Sequence, residues 1–321
     1  MSTSNSKQTL CDEPLVTICI PAYNVEKTVV QTVRSILNQT YHNMEILVVD
    51  NDSRDNTLLL LREFNDSRMK IYKNSKNIGA ERNFNRCVQL ANGEYIAIFH
   101  ADDVYRSDIV QKQVQAFQDN PTIGAVFTFA ELINESGEVI GEYGLPVKLR
   151  GKRIYHFREM FFSMLENGDF LFCPSAMVKS ALYKELVPFE ERFGTSADTD
   201  MKLRILEKCP IVILPEKLMS YRIHNTHTRS EDYLNVMDYY LSVKSSILNI
   251  PHSVLNKYKS QRSERIIRGA KNYLIKGQLQ DAKQLLLREP IFTTAFWGAN
   301  AILRSLSRKW EKRFKSWFRY V

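Results

Sequence analysis

Short apolar runs and amphipathic segments alternate along the first half of the chain. Four apolar runs begin near positions 16, 46, 71 and 95, and each is followed by a segment with apolar residues three and four positions apart. A run that stays apolar on consecutive positions is typical of a buried parallel strand, whereas the wider spacing is typical of a helix. The pattern therefore predicts repeated βα units, a mostly parallel sheet with right-handed crossovers, and an α/β fold.

The ends of these elements are predicted from residues that stop strands or begin and end helices. Pro21 closes the first strand, and Asn24 is expected to cap the first helix because its side chain can accept from the first helical amides. Gly93 is expected just after the third helix, and Ser107 at the cap of the fourth. The predicted strands of this half are 16–20, 46–49, 71–72, 95–99 and 123–129.

The pattern changes after residue 130. The chain then predicts a hairpin turn at 135–137, a buried helix over 157–165 that ends at Gly168, a mixed strand over 170–178, a helix that begins near Asp198 and a short strand over 211–214. From about residue 231 the spacing of apolar residues is helical only. We therefore expect a sheet-containing region followed by a helical one.

Polar loops follow three of the predicted strands, at Tyr23-Asn24, Asp50–Asp52 and His100–Asp103. Because the carboxyl ends of parallel strands meet at one edge of a sheet, these loops are expected to face a ligand there. The adjacent carboxylates of Asp102 and Asp103 repel each other unless a cation or a cationic partner lies nearby. A solvated turn that caps the next helix is the alternative for an isolated acidic pair, but three polar loops at one edge favour a nucleotide-binding cleft.

Composition limits the class of protein. The chain has 321 residues with 44% hydrophobic content, enough for one large α/β domain plus a tail or a small second domain. Its five cysteines are odd in number and widely spaced, which favours reduced thiols of a cytosolic protein over a disulfide framework or a zinc site. The polar residues 1–13 predict a flexible N-terminus, and neither a secretion signal nor a membrane-spanning segment is expected.

The formal net charge of +8 indicates an anionic partner. Nucleic acid is disfavoured because the chain has no helix-turn-helix, RNA-recognition or zinc motif and much of the basic excess lies near the C-terminus. A dinucleotide oxidoreductase is disfavoured because no Gly-x-Gly-x-x-Gly follows the first strand. A membrane lipid or a nucleotide-linked substrate therefore remains.

Several motifs occur in a recognisable order. They are Pro21-Ala22-Tyr23-Asn24, Val49–Ser53 with Asp55 and Thr57, Asn77-Ile78-Gly79 with Arg82-Asn83, Ala101-Asp102-Asp103, Ala197–Asp200 and Tyr221–His224. In this order and spacing the chain resembles the inverting nucleotide-sugar glycosyltransferases of family 2, which have the GT-A fold, over residues 14–230. The resemblance implies a nucleotide-binding half at 14–130, an acceptor half at 131–230 and a helical C-terminal region at 231–321.

The resemblance also implies a donor site. The residues that it assigns to the nucleotide sugar are Pro21, Ala22, Tyr23, Asn24, Asp50, Asn77, Gly79, Arg82, His100 and Ala101. Backbone at Pro21–Tyr23 and the Asp50 carboxylate would hold base and ribose, since a carboxylate accepts from the imide N–H of uracil; the alternative for Asp50 is a cap on the next helix. Arg82 would either contact the pyrophosphate or pair with Asp50 or Asp102.

The same resemblance implies a divalent cation and a general base. Asp102 and His224 would bind the cation, Mn²⁺ or Mg²⁺, and an imidazole ligand favours Mn²⁺. Asp198 would accept the proton of an acceptor hydroxyl. Asp200 competes for this role, but two residues apart on a helix the two carboxylates point to different faces. The segment Pro174–Met177 would line the acceptor side.

Two positions depart from the family pattern. His100 stands where an acid that contacts ribose is common, and Ala197 stands where a Glu precedes the catalytic Asp. These departures leave a second hypothesis, a non-catalytic nucleotide-sugar sensor or scaffold of the same fold. The presence of both Asp102 and Asp198 favours an enzyme that builds a cell-surface polysaccharide or glycoconjugate.

The C-terminal segment 296–321 predicts an amphipathic helix. Its apolar stripe is Phe296, Ala299, Leu303, Leu306, Trp310, Phe314, Trp317 and Val321, and its basic stripe is Arg304, Arg308, Lys312, Lys315 and Arg319. Aromatic residues on one side and cations on the other are typical of a helix lying on an anionic membrane surface. A helix docked on the catalytic domain is the alternative. We expect a cytoplasmic protein held peripherally at the inner face of the membrane, which would suit a lipid-linked acceptor.

Overall fold

A mixed sheet of ten strands forms the centre of the described part of the chain. The structure is a computed structural model that describes residues 13–186, 188–224 and 230–289. The strands are β1 (Val16–Ala22), β2 (Met44–Asp50), β3 (Met69–Lys73), β4 (Tyr95–Ile98), β5 (Val104–Tyr105), β6 (Ala125–Ile133), β7 (Val139–Tyr143), β8 (Ile154–Tyr155), β9 (Met177–Lys179) and β10 (Ile211–Arg222).

Helices connect most of these strands and continue after the last one. They are α1 (Val29–Leu37), α2 (Thr57–Leu61), α3 (Ala80–Leu90), α4 (Ile109–Asp119), α5 (Phe157–Asn167), α6 (Ser180–Glu185), α7 (Ala197–Lys208), α8 (Ser230–Leu248), α9 (His252–Ile275) and α10 (Leu279–Leu286). The predicted helical character beyond residue 231 is confirmed as far as Leu286, where α10 ends.

The sheet has the order β3-β2-β1-β4-β9-β6-β10-β5. Strands β3, β2, β1 and β4 are parallel to one another, which confirms the predicted α/β fold with repeated βα units. Strand β9 is antiparallel to both β4 and β6, and β10 is again parallel to β6. Short antiparallel strands complete the sheet, with β7 on β6 and with β5 and β8 on β10.

Burial explains why the first strands are apolar on consecutive positions. All residues of β1 except the half-buried Pro21 are buried, and β2 is buried except for Glu45, because helices cover both faces of this part of the sheet. Helix α1 buries Val29, Val33 and Ile36 at spacings of four and three residues. The hydrophobic periodicity therefore locates the elements that carry the polar loops.

Several predicted boundaries are wrong. Asn24 does not cap a helix: it has a left-handed backbone with φ of 52°, and α1 begins only after Thr28. Ser107 does not cap α4 either, since Asp108 precedes the first helical residue. The mixed strand predicted over 170–178 contains a 3-10 helix at Cys173–Ser175, because Pro174 cannot donate to a sheet ladder. The strand β9 begins only at Met177.

Two further differences concern the second half of the sheet. The predicted strand over 211–214 is the first third of β10, which continues to Arg222 through two register shifts against β6. By contrast, the predicted hairpin is confirmed as the antiparallel pair β6 and β7. The predicted apolar stripe of α5 is also confirmed, with Met160 and Met164 fully buried.

The chain divides into two units. The described part of the first comprises 13–160, 169–192 without 187, and 197–224, and it holds the whole sheet. The second comprises 161–168, 193–196 and, among the described residues, 230–289. Within the second unit the Tyr233 hydroxyl donates to the Met164 carbonyl at 2.6 Å, and Asp232 accepts from the Thr195 amide at 3.0 Å.

The two predicted terminal segments lie outside the described residues. These are the N-terminus up to residue 12 and the amphipathic tail at 296–321. Among the helices that the structure describes, none combines the length and the apolar character needed to span a bilayer.

Gly93 tests the packing of the sheet. A Cβ built at this position would lie 2.6 Å from the Thr17 amide nitrogen and 2.8 Å from the Leu15 carbonyl oxygen, so the backbone itself would have to move. We expect Gly93→Ala to lower the free energy of unfolding by about 1–3 kcal/mol, measured by urea denaturation. Gly141→Ala is the matched control, because its Cβ would meet only a Leu132 methyl group at 3.6 Å. Equal stabilities of the two variants would contradict this packing.

Candidate active site

The three polar loops meet at one edge of the sheet, as predicted. Parallel pairing places Ala22 beside Asp50 at the ends of β1 and β2, and it places Cys19 beside Ile98 on β1 and β4. The pairing of β1 with β2 continues one residue further, since the Asn51 amide donates to the Ala22 carbonyl at 2.8 Å. The carboxyl ends of β1, β2 and β4 therefore lie together at one edge of the sheet, where a ligand can bind.

Asp50 lies at the end of β2 with no exposed surface. Both of its carboxylate oxygens lie 3.3 Å from the Ser53 amide nitrogen, which donates to them. Helix α2 begins at Thr57 after Asn56, so Asp50 does not cap it. The helix-cap alternative is therefore excluded, while contact of Asp50 with a donor base stays a prediction.

The loop after β1 is fixed against the loop after β2. The Asn24 amide donates to the Ser53 hydroxyl at 3.0 Å, and the Asn24 side chain accepts from the Arg54 amide at 2.9 Å. These contacts account for the left-handed backbone of Asn24, which asparagine tolerates better than most residues. The neighbouring Tyr23 is 42% exposed, so its ring is available to a ligand at this edge.

A network of asparagines holds the predicted donor residues Asn77 and Gly79. The Asn51 side chain donates to the Asn77 side-chain oxygen at 3.0 Å and to the Gly79 carbonyl at 3.2 Å. Asn74 in turn donates to the side-chain oxygens of Asn51 and Asn83, both at 2.8 Å. The sequence motifs include Asn51 and Asn83 but give them no role, and they do not include Asn74. A run of asparagines after two successive strands was the available sequence signal.

Arg82 makes a different ion pair from those predicted. Its guanidinium donates to both carboxylate oxygens of Glu191, at 2.6 and 3.1 Å, and both side chains are more than half exposed. Arg82 therefore pairs with neither Asp50 nor Asp102 in this structure. Because an exposed pair of this kind contributes little to stability, the arginine can exchange Glu191 for an anionic ligand at small cost.

Asp102 and His224, the two predicted cation ligands, are in direct contact. Asp102 Oδ2 lies 2.6 Å from His224 Nε2, although 122 residues separate them in the chain. Both side chains are about one third exposed, so the pair is open to solvent. A carboxylate and an imidazole at this distance can converge on one cation.

Arg222 positions this pair and was not assigned a role by the sequence. It is 4% exposed, and its guanidinium donates to the Asp102 carbonyl at 2.8 Å, to the Asn134 carbonyl at 2.9 Å and to the Gln31 side-chain oxygen at 2.9 Å. Its amide donates to Asp103 Oδ1 at 2.8 Å. Arg222 therefore joins the loop after β4 to the end of β10.

The donor atoms around Asp102 fit a divalent cation. One ligand atom each from His100, Asp102 and Asp103 lies within 4.8 Å of the others. His100 Nε2 and Asp103 Oδ2 are buried and have no hydrogen-bond partner among the described residues. Burial lowers the pKa of His100, although Asp102 and Asp198 oppose this effect, so the ring favours the neutral form that metal ligation needs.

Ala101 is buried, and its carbonyl accepts from the Thr28 hydroxyl at 3.1 Å.

Asp103 behaves as a structural acid. Burial raises the pKa of its carboxyl group well above the usual range, and the neighbouring Asp102 raises it further. The Arg222 amide opposes these effects by donating to one oxygen. The more exposed Asp102 is therefore better placed than Asp103 to be a charged ligand.

Asp198 and Asp200 lie at the start of α7 and face different environments, as their spacing predicts. The Asp198 side chain is 24% exposed, and its Oδ2 accepts from Lys202 Nζ at 2.9 Å. The Asp200 side chain is 2% exposed, and its Oδ2 accepts from Arg204 Nε at 2.8 Å. Of the two acids, Asp198 is the one that a substrate can reach.

The charges of Asp198 and Asp102 affect the pKa values of the same two side chains. Burial raises the pKa of Tyr221, and the negative charges of Asp103, Asp102 and Asp198 raise it further. His100 likewise experiences the charges of both Asp102 and Asp198. The candidate base and the candidate cation ligand are therefore both close enough to His100 and Tyr221 for their charges to act on these two side chains. All four residues of 174–177 are buried, so the predicted acceptor lining by their side chains is not supported.

The chain belongs to glycosyl transferase family 2. The model of this family matches residues 17–186, which is more than half of the chain. An uncharacterised glycosyltransferase of Methanocaldococcus jannaschii is 33% identical over 67% of this chain and 72% of its own length. An Escherichia coli protein is 36% identical over 43% of this chain, but the match covers only 54% of that relative. It is a UDP-Glc:alpha-D-GlcNAc-diphosphoundecaprenol beta-1,3-glucosyltransferase.

Solved structures share the fold. S. aureus TarS 1-349 in complex with UDP-GlcNAc has a TM-score of 0.56 and 15% identity, over 84% of this chain and 90% of that chain. The mannosyltransferase PcManGT from Pyrobaculum calidifontis, in complex with GDP-Man and Mn²⁺, has a TM-score of 0.55 and 17% identity over 95% and 83%. These likenesses confirm the predicted GT-A fold, a central sheet flanked by helices with a helical C-terminal part.

Proposed function

We propose that this glycosyltransferase moves a sugar from a nucleotide-diphosphate sugar, a UDP-sugar, to a hydroxyl group of a glycan or lipid-linked acceptor, with inversion at the anomeric carbon. One observation carries the proposal. Asp102, which contacts His224, and the partly exposed Asp198 are both close enough to His100 at the carboxyl edge of the sheet for their charges to raise its pKa. A cation site and a general base in one cleft are the two functions that this reaction needs.

The donor would bind across the loops that follow β1, β2 and β4. Tyr23 offers an exposed ring, and the asparagine network holds the backbone at 77–79 in a fixed position. The names of relatives support a nucleotide-sugar donor, since one uses UDP-Glc and a structural neighbour holds UDP-GlcNAc. The chain's own preference for uracil rests on the resemblance.

Asp102 and His224 would hold a divalent cation, and His100 lies close to Asp102 with a ring nitrogen that has no hydrogen-bond partner among the described residues. When bound, Mn²⁺ or Mg²⁺ would stabilise the negative charge of the leaving diphosphate. An imidazole ligand favours Mn²⁺, which is also the ion in the PcManGT complex. The role of the protein is to bring one carboxylate and one imidazole to the same point.

Asp198 would act as the general base. The acceptor O–H bond breaks as the acceptor oxygen forms a bond to the anomeric carbon, and the bond from that carbon to the diphosphate oxygen breaks. The proton passes to the Asp198 carboxylate, and the electron pair of the broken bond leaves with the diphosphate. A single displacement inverts the anomeric configuration.

The Asp198→Asn variant distinguishes the enzyme hypothesis from the hypothesis of a sensor or scaffold, which the departures at His100 and Ala197 left open. The amide keeps the size of the side chain but cannot accept the proton, so we expect transfer to fall by about 10²- to 10⁴-fold while donor affinity stays within about twofold. Donor binding is measured by calorimetry with Mn²⁺ present, and transfer by release of UDP. Loss of donor affinity in proportion to turnover would show that Asp198 is not the base.

Asp200→Asn is the matched control. Its carboxylate forms a buried pair with Arg204, so the variant should lose stability, measured by thermal unfolding, while the folded fraction keeps its turnover. A stable Asp200→Asn variant without transfer activity would reverse the two assignments. Donor binding without transfer by the unchanged chain, over a broad set of acceptors, would favour the sensor.

Asp102→Ala tests the cation site. Without this carboxylate we expect donor affinity to become independent of Mn²⁺, because His224, His100 and the buried Asp103 would lack the exposed carboxylate of the site. The measurement is a calorimetric titration of UDP with and without Mn²⁺. Asp119→Ala, which removes an exposed acid at the end of α4, should keep the full metal dependence. An Asp102→Ala variant with metal-enhanced UDP binding would remove Asp102 from the site.

The tail at 296–321 would hold the protein on an anionic membrane, which places it near a lipid-linked acceptor. The proposal rests on the sequence alone: five basic residues form one stripe and aromatic residues another. Each basic residue near an anionic leaflet contributes on the order of 1 kcal/mol, so five would give salt-sensitive binding. Localisation at the inner face of the membrane follows from this proposal.

Co-sedimentation with vesicles tests the tail. We expect the full chain to pellet with phosphatidylserine vesicles at low salt and to be released at high salt, since the attraction is screened. Changing Arg304, Arg308, Lys312, Lys315 and Arg319 to Gln should leave the chain in the supernatant. Phosphatidylcholine vesicles are the neutral control. A full chain that stays in the supernatant with anionic vesicles at low salt would contradict membrane attachment.

A further inference from the structure

A buried lysine contacts the candidate base. Lys202 lies one helical turn after Asp198 on α7, and it is only 4% exposed. Its ammonium group donates to Asp169 Oδ2 at 2.6 Å, to the Leu171 carbonyl at 2.7 Å and to Asp198 Oδ2 at 2.9 Å. An ammonium has three protons, so these three acceptors use its whole capacity.

The lysine stays charged at this position. Burial alone would lower the pKa of Lys202, but the negative charges of Asp169 and Asp198 more than offset burial and raise the pKa above its usual value. Lys202 therefore keeps its positive charge in the folded protein. A buried cation with two carboxylates and a carbonyl is the kind of complete cluster that can be kept inside a protein.

Asp169 is itself held in place from three sides. Its Oδ2 accepts from the Thr199 hydroxyl at 2.6 Å as well as from Lys202, and its Oδ1 accepts from the Leu171 amide at 3.0 Å. Thr199 directly follows Asp198 on α7. The loop that carries Asp169 is thus attached to the same helical turn that carries the candidate base.

The cluster leaves one oxygen of Asp198 available. Oδ2 is fixed by Lys202, whereas Oδ1 has no hydrogen-bond partner among the described residues. Two carboxylates share one ammonium, so the three side chains together keep one negative charge. Asp198 is therefore held in one orientation without being fully neutralised, which suits a group that must accept a proton.

We propose that Lys202 and Asp169 are positioning residues for Asp198: Lys202 fixes one carboxylate oxygen of the base, and Asp169 fixes Lys202 and shares its charge. The proposal rests on the proposed role of Asp198 in glycosyl transfer. In this proposal both residues act on the reaction only through the orientation and charge of Asp198.

Lys202→Met removes the ammonium and keeps most of the side-chain volume. We expect kcat to fall by about 10²-fold, the scale associated with a misplaced catalytic group, while the KM for the donor and the Mn²⁺ dependence stay unchanged. Lys208→Met is the matched control, because this exposed lysine on the same helix pairs with Glu185 on the surface. It should keep the kcat of the unchanged chain.

The double variant Lys202→Met/Asp198→Asn separates positioning from a structural role. If Lys202 acts through Asp198, the lysine change has no further effect on kcat once the base is gone. A further loss in the Asp198→Asn background, or an unchanged kcat in Lys202→Met alone, would overturn the proposal. An Asp198→Asn variant with normal transfer would instead overturn the proposed function itself, so the two failures are distinguishable.

Two other variants keep the proposal testable if Lys202→Met does not fold. Lys202→Arg keeps the positive charge and should recover part of the lost kcat, since a guanidinium can still donate to Asp198. Asp169→Asn leaves Lys202 with Asp198 as its only carboxylate, so the pair becomes neutral and kcat should fall with an unchanged donor KM. A normal kcat for folded Asp169→Asn would exclude the shared charge.

Discussion

A buried guanidinium holds the candidate site together. Arg222 uses four of its five donors on the Asp102, Asn134 and Glu135 carbonyls and on Gln31. A buried arginine with most donors satisfied has one stable geometry, because any displacement leaves a charge without partners. Since His224 lies two residues further along, its contact with Asp102 depends on this anchor.

The carboxylates of the site differ through their partners rather than through their chemistry. Asp200 is buried against Arg204 and Asp103 against the Arg222 amide, so both are used in maintaining the fold. Asp102 and Asp198 keep partial exposure, and the charges of both affect the pKa values of Tyr221 and His100. Acids of the same type therefore separate into structural and functional groups according to burial and counter-charge.

The parallel half of the sheet and its polar loops could be predicted from the sequence. Buried strands such as β1 and β2 are apolar on consecutive positions, and this pattern needs no knowledge of their neighbours. The irregular second half was less predictable. Pro174 interrupts an apolar segment, and β10 bends through two register shifts that depend on its pairing with β6.

The sequence by itself determined the α/β order, the residues at the strand ends and the opposite orientation of Asp198 and Asp200, because all three depend on local periodicity. The tertiary structure decided which distant charged groups meet, although the family resemblance had already placed Asp102 and His224 in one site. Arg82 pairs with Glu191, Asp102 meets His224, and Lys202 joins Asp169 to Asp198. The first two pairs join residues 109 and 122 positions apart, and Asp169 lies 33 positions before Lys202. No short-range pattern encodes these distant pairs, since their partners are selected by the packing of separate strands and helices and by the cost of burying a charge alone. The contact of Lys202 with Asp198 is the exception, because the two residues are four apart on one helix.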